Sequence, residues 1–180
     1  MALPSTIYRA TLQLSDIDKG VYETISLTVA QHPSETAERM VARILAFALW
    51  YEPELVFTKG LCAPEEPDLW VKSPDDRTKL WIEVGLPESD RINKAARHAE
   101  QVKLLASGKA LNMWEQNHLP LLGKLKNLTV VTIDHAYLVT LANTLKRVIN
   151  WEITITEGML YLNCGGTTYE TMLVVKMGTV

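Results

Sequence analysis

Residues 80–85 read Leu-Trp-Ile-Glu-Val-Gly, an apolar run with a single carboxylate set inside it. A run this short and this apolar is a strand buried on both faces, as in the middle of a covered sheet. Glu83 then carries a charge into apolar surroundings, which is expensive unless the charge is paired or metal-bound. Any fold open to this chain has to supply that partner.

The rest of the sequence supplies layers around such a strand. Tyr8, Ala10, Leu12 and Leu14 alternate with Ile7, Arg9, Thr11 and Gln13, and residues 21–29 alternate again. With Asp16, Asp18 and Gly20 as the turn, this is an N-terminal β-hairpin. His32-Pro33-Ser34 closes it and opens a helix, with Ser34 as the expected N-cap and Glu35 and Glu38 near the positive end of the dipole. Ala37, Met40, Val41, Ile44, Leu45 and Ala48 form its apolar stripe, and Pro53 ends it. Residues 55–57 read as a short strand before Gly60. Strands are expected over 67–72 and 80–84, around the turn Ser73-Pro74-Asp75-Asp76. Pro87-Glu88-Ser89-Asp90 starts a helix predicted to run to about Ser107, where Gly108 stops it. A helix over 110–118 is broken by Pro120 and Gly123. A buried strand over 128–133, a short helix over 135–146 and a β-rich tail over 148–176 complete the chain, with hairpin turns at Glu157-Gly158 and Gly165-Gly166. The order is that of a mixed α/β domain with a strong antiparallel component.

At 180 residues, with 47% hydrophobic and 22% charged residues, such a chain buries a core without cross-links. It reads as a single domain over 1–180, with a core at about 34–133 and decorating β-structure at about 6–29 and 148–176. The cysteines, Cys62 and Cys164, form no CxxC pair, which excludes a zinc knuckle or a thioredoxin motif. The N-terminal residues lack the basic flank and apolar run of a signal peptide, and the apolar stretch Ile44–Tyr51 is too short to span a bilayer. A reducing, cytoplasmic location and no membrane partner are expected. The net charge of -3 argues against a constitutive nucleic-acid coat and leaves room for a local basic groove.

Asp68, in Glu66-Pro67-Asp68-Leu69-Trp70, stands on the strand neighbouring Glu83. Two carboxylates on adjacent strands can hold Mg²⁺ or Mn²⁺ through oxygen ligands. The ion can lower the pKa of a bound water and stabilise charge on a phosphoryl group. The other resolution is an acid satisfied by an arginine or by the backbone. The five tryptophans are expected mostly in the core, with Trp70 and Trp81 straddling these two strands.

Pro67-Asp68, a spacer and Glu83-Val84-Gly85 resemble the restriction-endonuclease-like nucleases, whose signature is PD, a spacer, then (D/E)xK. Gly85 stands where the lysine belongs. The order of helix, three-stranded meander, helix and strand is similar to that family's core. More specifically, His32-Pro33-Ser34-Glu35-Thr36, Glu38-Arg39-Met40 and Trp81-Ile82-Glu83-Val84-Gly85-Leu86-Pro87 resemble the bacterial YaeQ family, over nearly the whole chain. The resemblance implies a restriction-endonuclease-like mixed sheet flanked by helices, with added N- and C-terminal β-hairpin structure. It implies no particular reaction.

In related nucleases the lysine can migrate to the following helix. On the helix expected here, Arg91, Lys94, His98 and Gln101 lie at i, i+3, i+7 and i+10 and share one face, beside the apolar Ile92, Ala95, Ala99, Val102 and Ala106. The resemblance makes Lys94 the migrated lysine, reaching over Gly85 toward Glu83, and Arg91, His98 and Gln101 the nucleic-acid contacts. Glu38 is a further acid, because some nuclease-like sites draw one from the first helix; Glu35 is expected to face solvent as a cap. His32 is expected to bond the turn before the first helix, and His118 and His135 to lie on the surface. The leading expectation is a metal-dependent nuclease-like protein acting on nucleic-acid phosphodiesters, with Asp68 and Glu83 as metal ligands. The alternative is an inactive nuclease-like fold that binds nucleic acid or protein.

Overall fold

Strict alternation over the first thirty residues produces β1 (Thr6–Asp16) and β2 (Val21–Gln31), paired antiparallel along their whole length. The computed structural model describes residues 4–59 and 63–180; Gly60 and Cys62 lie outside them. The chain forms two compact units. One joins the residues through Leu49 to Asp134–Leu173, and the other joins Trp50–Ile133 to Val174–Val180. The grouping differs from the expected core and decoration in two places: the first helix belongs with the terminal β-structure, and the last strand belongs with the middle of the chain.

In the first unit, β8 (Val148–Thr156), β9 (Met159–Cys164) and β10 (Thr167–Met172) extend the hairpin into a sheet of order β10-β9-β8-β1-β2. β1 and β8 run parallel and every other pair is antiparallel. Alternate residues go inward: Ala10, Leu12 and Leu14 from β1, and Ile149, Trp151, Ile153 and Ile155 from β8, are all buried. Helices α1 (Ala37–Leu49) and α4 (His135–Ala142) pack on each other, with α1 against β1 and α4 against β10. Both tail turns fall where expected. Glu157 and Gly158 have φ of 51° and 75°, and the Asp18 carboxylate accepts both of their N–H groups, at 2.8 and 3.3 Å. That bond set pins the second turn to the first across the sheet, which makes the left-handed conformation of a glutamate affordable.

The start of α1 departs from the sequence reading. Its cap is Thr36, whose Oγ1 accepts the Arg39 N–H at 3.3 Å, and not Ser34. Glu35 does not face solvent: it is 6% exposed and holds Arg43, which is 4% exposed, in a two-pronged pair. Arg43 Nε donates to Oε1 at 2.7 Å and Nη2 donates to Oε2 at 2.6 Å, while Nη2 also donates to the Ala30 carbonyl at 2.8 Å. Arg39 adds a bond to Oε1 at 3.1 Å. The reason lies in α1 itself, which is buried without interruption from Met40 to Leu49. An arginine in that run needs an acid, and Glu35 is the acid that the β2–α1 connection brings to it.

The second unit is built on a sheet of order β11-β7-β6-β5-β4-β3. The strands are β3 (Val56–Phe57), β4 (Leu69–Lys72), β5 (Thr78–Val84), β6 (Ala99–Ala106), β7 (Leu128–Thr132) and β11 (Val174–Met177). The three central strands β5, β6 and β7 are parallel, and the outer pairs are antiparallel. Helices α2 (Ser89–His98) and α3 (Leu111–Leu122) make the crossovers between them. The helix expected to reach Ser107 therefore ends at His98, and the next eight residues are a central strand. The apolar spacing Ile92, Ala95, Ala99, Val102, Ala106 suits a helix, but from Ala99 the backbone pairs with β5 on one side and β7 on the other, and Leu104 and Leu105 are buried on its two faces. No Gly or Pro marks the change; Ala99 simply adopts φ −120°, ψ 148°. The helix expected to stop before Pro120 continues through it to Leu122, although the proline has no N–H to give to the carbonyl four residues back, that of Gln116. The helix expected over 135–146 ends at Ala142.

Ile92 and Ala95 of α2 and Trp114 and Leu122 of α3 pack with Val102, Leu104 and Val130 of the sheet. Trp114 donates its indole N–H to the Pro87 carbonyl at 2.6 Å, and His118 Nδ1 accepts the Ser89 N–H at 3.3 Å. His118 thus closes the start of α2 instead of lying free on the surface. Among the described residues no helix is long and apolar enough to cross a membrane.

Removing one partner of the Glu35–Arg43 pair leaves a buried charge uncompensated, at a cost of about 3–5 kcal/mol. Glu35→Ala is expected to lower the urea midpoint accordingly, and the double variant Glu35→Leu/Arg43→Leu to lose much less than the two single changes together.

Candidate functional site

The two acids singled out in the sequence do meet, at the end of the β4–β5 hairpin in the second unit. Asp68 precedes β4 and is 2% exposed. Its own N–H donates to the Ile82 carbonyl at 3.0 Å and its Oδ2 accepts the Val84 N–H at 2.8 Å, so the side chain completes the ladder where main-chain pairing ends. Glu83, one residue before Val84, is 3% exposed. Its Oε1 accepts the Trp81 indole N–H at 2.8 Å and the Arg91 Nε–H at 2.9 Å, with Arg91 Nη2 at 2.8 Å.

Arg91, in the first turn of α2, is the hub of this arrangement. Beyond Glu83, its Nη2 donates to the Glu66 carbonyl at 2.8 Å and its Nη1 donates to the Pro64 carbonyl. One guanidinium thereby ties α2 to β5 and to the segment that leads into Asp68. A planar fork with five donors can serve three acceptors at once, which an ammonium could not do in this geometry. Burial holds the Glu83 carboxyl above its ordinary value of 4.5, the negative charge of Asp68 pushes it the same way, and Arg91 and Trp81 oppose both.

Above the acids lies a groove of about 530 Å³. Trp70 and Trp81 line it from the sheet, and Arg91, Lys94 and His98 line it from α2. Three of the four residues expected on one helix face therefore do share one space. Gln101 does not: it stands exposed on β6, opposite Leu80 in the ladder, because the helix ends before it. Lys94 does not reach Glu83. Its Nζ pairs with Glu65 Oε2 at 2.6 Å on the groove's rim, and the hydrogen bond from Lys94 holds the Glu65 carboxyl below its ordinary value. The cation on Glu83 is Arg91, three residues nearer the end of β5. Glu38 stands on α1 in the first unit, and the site is built from the second unit without it.

Gly85, at the position of the motif's lysine, has φ +97° and open space where a Cβ would project. A lysine there would fit sterically and be strained in its backbone, so the chain's turn out of β5 is itself incompatible with the usual motif.

A divalent cation on these acids would have to displace Arg91 from Glu83. Among the described residues no group of three or more His, Cys, Asp or Glu side chains is placed to hold one. Of the two acids present, Glu83 already carries a guanidinium on Oε1. The sequence reading singled out the two acids that meet here and did not single out Arg91 as the cation on Glu83. The signal was available: Arg91 is the first cation after the β5 turn, where a buried carboxylate needs one. Glu65 and the groove role of the two tryptophans carry no such signal, since they depend on the pairing of β4 with β5.

Because the folded state binds the Glu83 proton more tightly than the unfolded chain does, this group costs stability as pH rises through 4.5 and beyond. Removing Arg91 takes away the largest opposing charge, so the cost grows and its window extends upward. Arg91→Ala is expected to lose about 3 kcal/mol at neutral pH, the low end for a broken buried pair because the arginine is one-third exposed. The loss should shrink below pH 4.5, where Glu83 is protonated in both states; urea unfolding across this range checks it. Adding Glu83→Gln should recover part of the neutral-pH loss.

Fold and site define a two-unit mixed α/β protein whose second unit carries a groove lined by two tryptophans and by side chains of both charges, beside a buried acid pair of which Glu83 holds Arg91. The chain belongs to the YaeQ family: the family model described as YaeQ protein matches residues 1–173. It is 37% identical over 174 residues to the uncharacterized protein YaeQ of Salmonella typhi, covering 96% of each chain. It is 38% identical over 164 residues to that of Escherichia coli (strain K12), covering 91% of each. The crystal structure of the YaeQ protein from Pseudomonas syringae matches with a TM-score of 0.94 and 42% identity, over 99% of both chains. That from Xanthomonas axonopodis pv. citri matches with a TM-score of 0.94 and 34% identity, over 97% of this chain and 99% of the other.

Proposed function

We propose that this protein binds nucleic acid in the groove of its second unit. The observation that carries the reading is that α2 turns Arg91, Lys94 and His98 into one groove whose other wall is Trp70 and Trp81. Lys94 is the phosphate-binding cation. Its pair with Glu65 is exposed, 62% on one side and 77% on the other, and an exposed pair of this kind holds its partners only weakly. A phosphate can take the ammonium over at little cost. His98 adds a ring donor one turn further along. Arg91 acts from behind, holding α2 and the Asp68 segment in register. A nucleic-acid ligand agrees with the cytoplasmic location expected from the sequence.

The second reading is metal-dependent cleavage of phosphodiesters, with Mg²⁺ or Mn²⁺ on Asp68 and Glu83. It is favoured by the charge of Asp68 bearing on Glu83, a juxtaposition that a cation would relieve. It requires Arg91 to give up Glu83.

Fluorescence anisotropy with labelled DNA and RNA tests the proposal. Affinity is expected to fall between about 50 mM and about 200 mM salt, and Lys94→Ala to lower the salt slope by about 0.7, as for one phosphate contact on a single strand. No binding of any nucleic acid at low salt would sink the proposal. Mn²⁺-dependent cleavage that disappears in Glu83→Gln would put the second reading first.

A further inference from the structure

The groove's sheet wall is aromatic in a particular way. Trp70 on β4 and Trp81 on β5 stand directly opposite each other in the antiparallel ladder, so their side chains rise from the same face. Both are half-buried and both line the groove. The Trp81 ring is fixed by its indole N–H bond to Glu83, and the Lys72 ammonium lies over the Trp70 ring, 4.5 Å from its centre; a base stacking on that face takes the ammonium's place. Two indoles side by side, one of them locked in place, form a preorganised platform for flat ligands.

The charges around the platform choose among nucleic acids. Glu65 and Asp90 stand in the same groove as Lys94 and Arg91, and Arg91 is committed to Glu83. A duplex offers mainly phosphates and base edges, and binds through many cations. Its base faces are stacked inside, out of reach of an indole. Unpaired bases offer their faces, and stacking on an aromatic ring is indifferent to nearby carboxylates. We infer that the groove takes single-stranded nucleic acid, with unpaired bases stacked on Trp70 and Trp81 and the adjoining phosphate on Lys94. The inference rests on the proposed function and names its substrate class.

The test compares labelled oligo(dT), oligo(U) and a duplex of equal length, at one salt concentration, by anisotropy on the full chain. Single strands are expected to bind at least about ten-fold tighter than the duplex. Trp70→Leu should weaken single-strand binding by about ten-fold, in line with the loss of one stacked base, and so narrow the gap between single strand and duplex. Trp70→Phe keeps a ring and should retain most of the affinity. If Trp70→Leu does not fold, the wild-type preference and the Trp70→Phe variant still decide. Equal affinity for strand and duplex, or single-strand binding that Trp70→Leu leaves unchanged, would overturn the inference and leave the proposed function standing. Absence of binding to all three probes would bring down both.

Discussion

The second unit is organised by the need to accommodate a carboxyl group inside a sheet. Glu83 lies on a strand flanked by β4 and β6, buried, with a second buried acid beside it. The like charges and the loss of water act together, and only a cation with several donors can offset them. Arg91 does so, and in doing so it fixes where α2 starts, how the Pro64–Glu66 segment runs and where Asp68 stands. The groove is a by-product of this clasp. With Arg91 anchored at its base, the next turns of the same helix carry Lys94 and His98 along the wall.

The first unit repeats the device in different elements. Glu35 and Arg43 are again a buried acid and an arginine, joining the end of β2 to a helix sunk along its length. In both units the arginine spends a remaining donor on a backbone carbonyl, Ala30 in one and Glu66 in the other. Each pair therefore ties a helix to the chain segment that enters or flanks it. A lysine in either place would lack the rigid planar fork with which the arginine serves a carboxylate and a carbonyl together.

Much of this was legible in the sequence, and the parts that were not have physical reasons. Residues 6–31 and 148–172 alternate with period two and carry their turns in Gly20, Gly158 and the Gly165-Gly166 pair, so the hairpins could be read directly. Asp68 and Glu83 stood out because a charge in an apolar run must be explained. Residues 99–106 were misread because alanines and leucines suit a helix and a doubly buried strand alike, and the choice was made by the neighbours β5 and β7, which are distant in sequence. Gln101 fell with that misreading. Lys94 was placed correctly on the helix face and wrongly on Glu83, because helical spacing gives direction around an axis and says nothing of which turn lies nearest the acid. Glu35 was misread for a related reason. Its partner, Arg43, is eight residues on, beyond the spacing at which helical neighbours are compared.

The junction between α2 and β6 has no connecting residue: His98 ends the helix and Ala99 begins the strand. A wall joined to the sheet in this way has no hinge at that end. Its other end is pinned by Arg91 at Glu83 and by His118 at Ser89. The α2 wall of the groove is thus attached to the sheet at both ends, and its distance from the two tryptophans is set by those attachments.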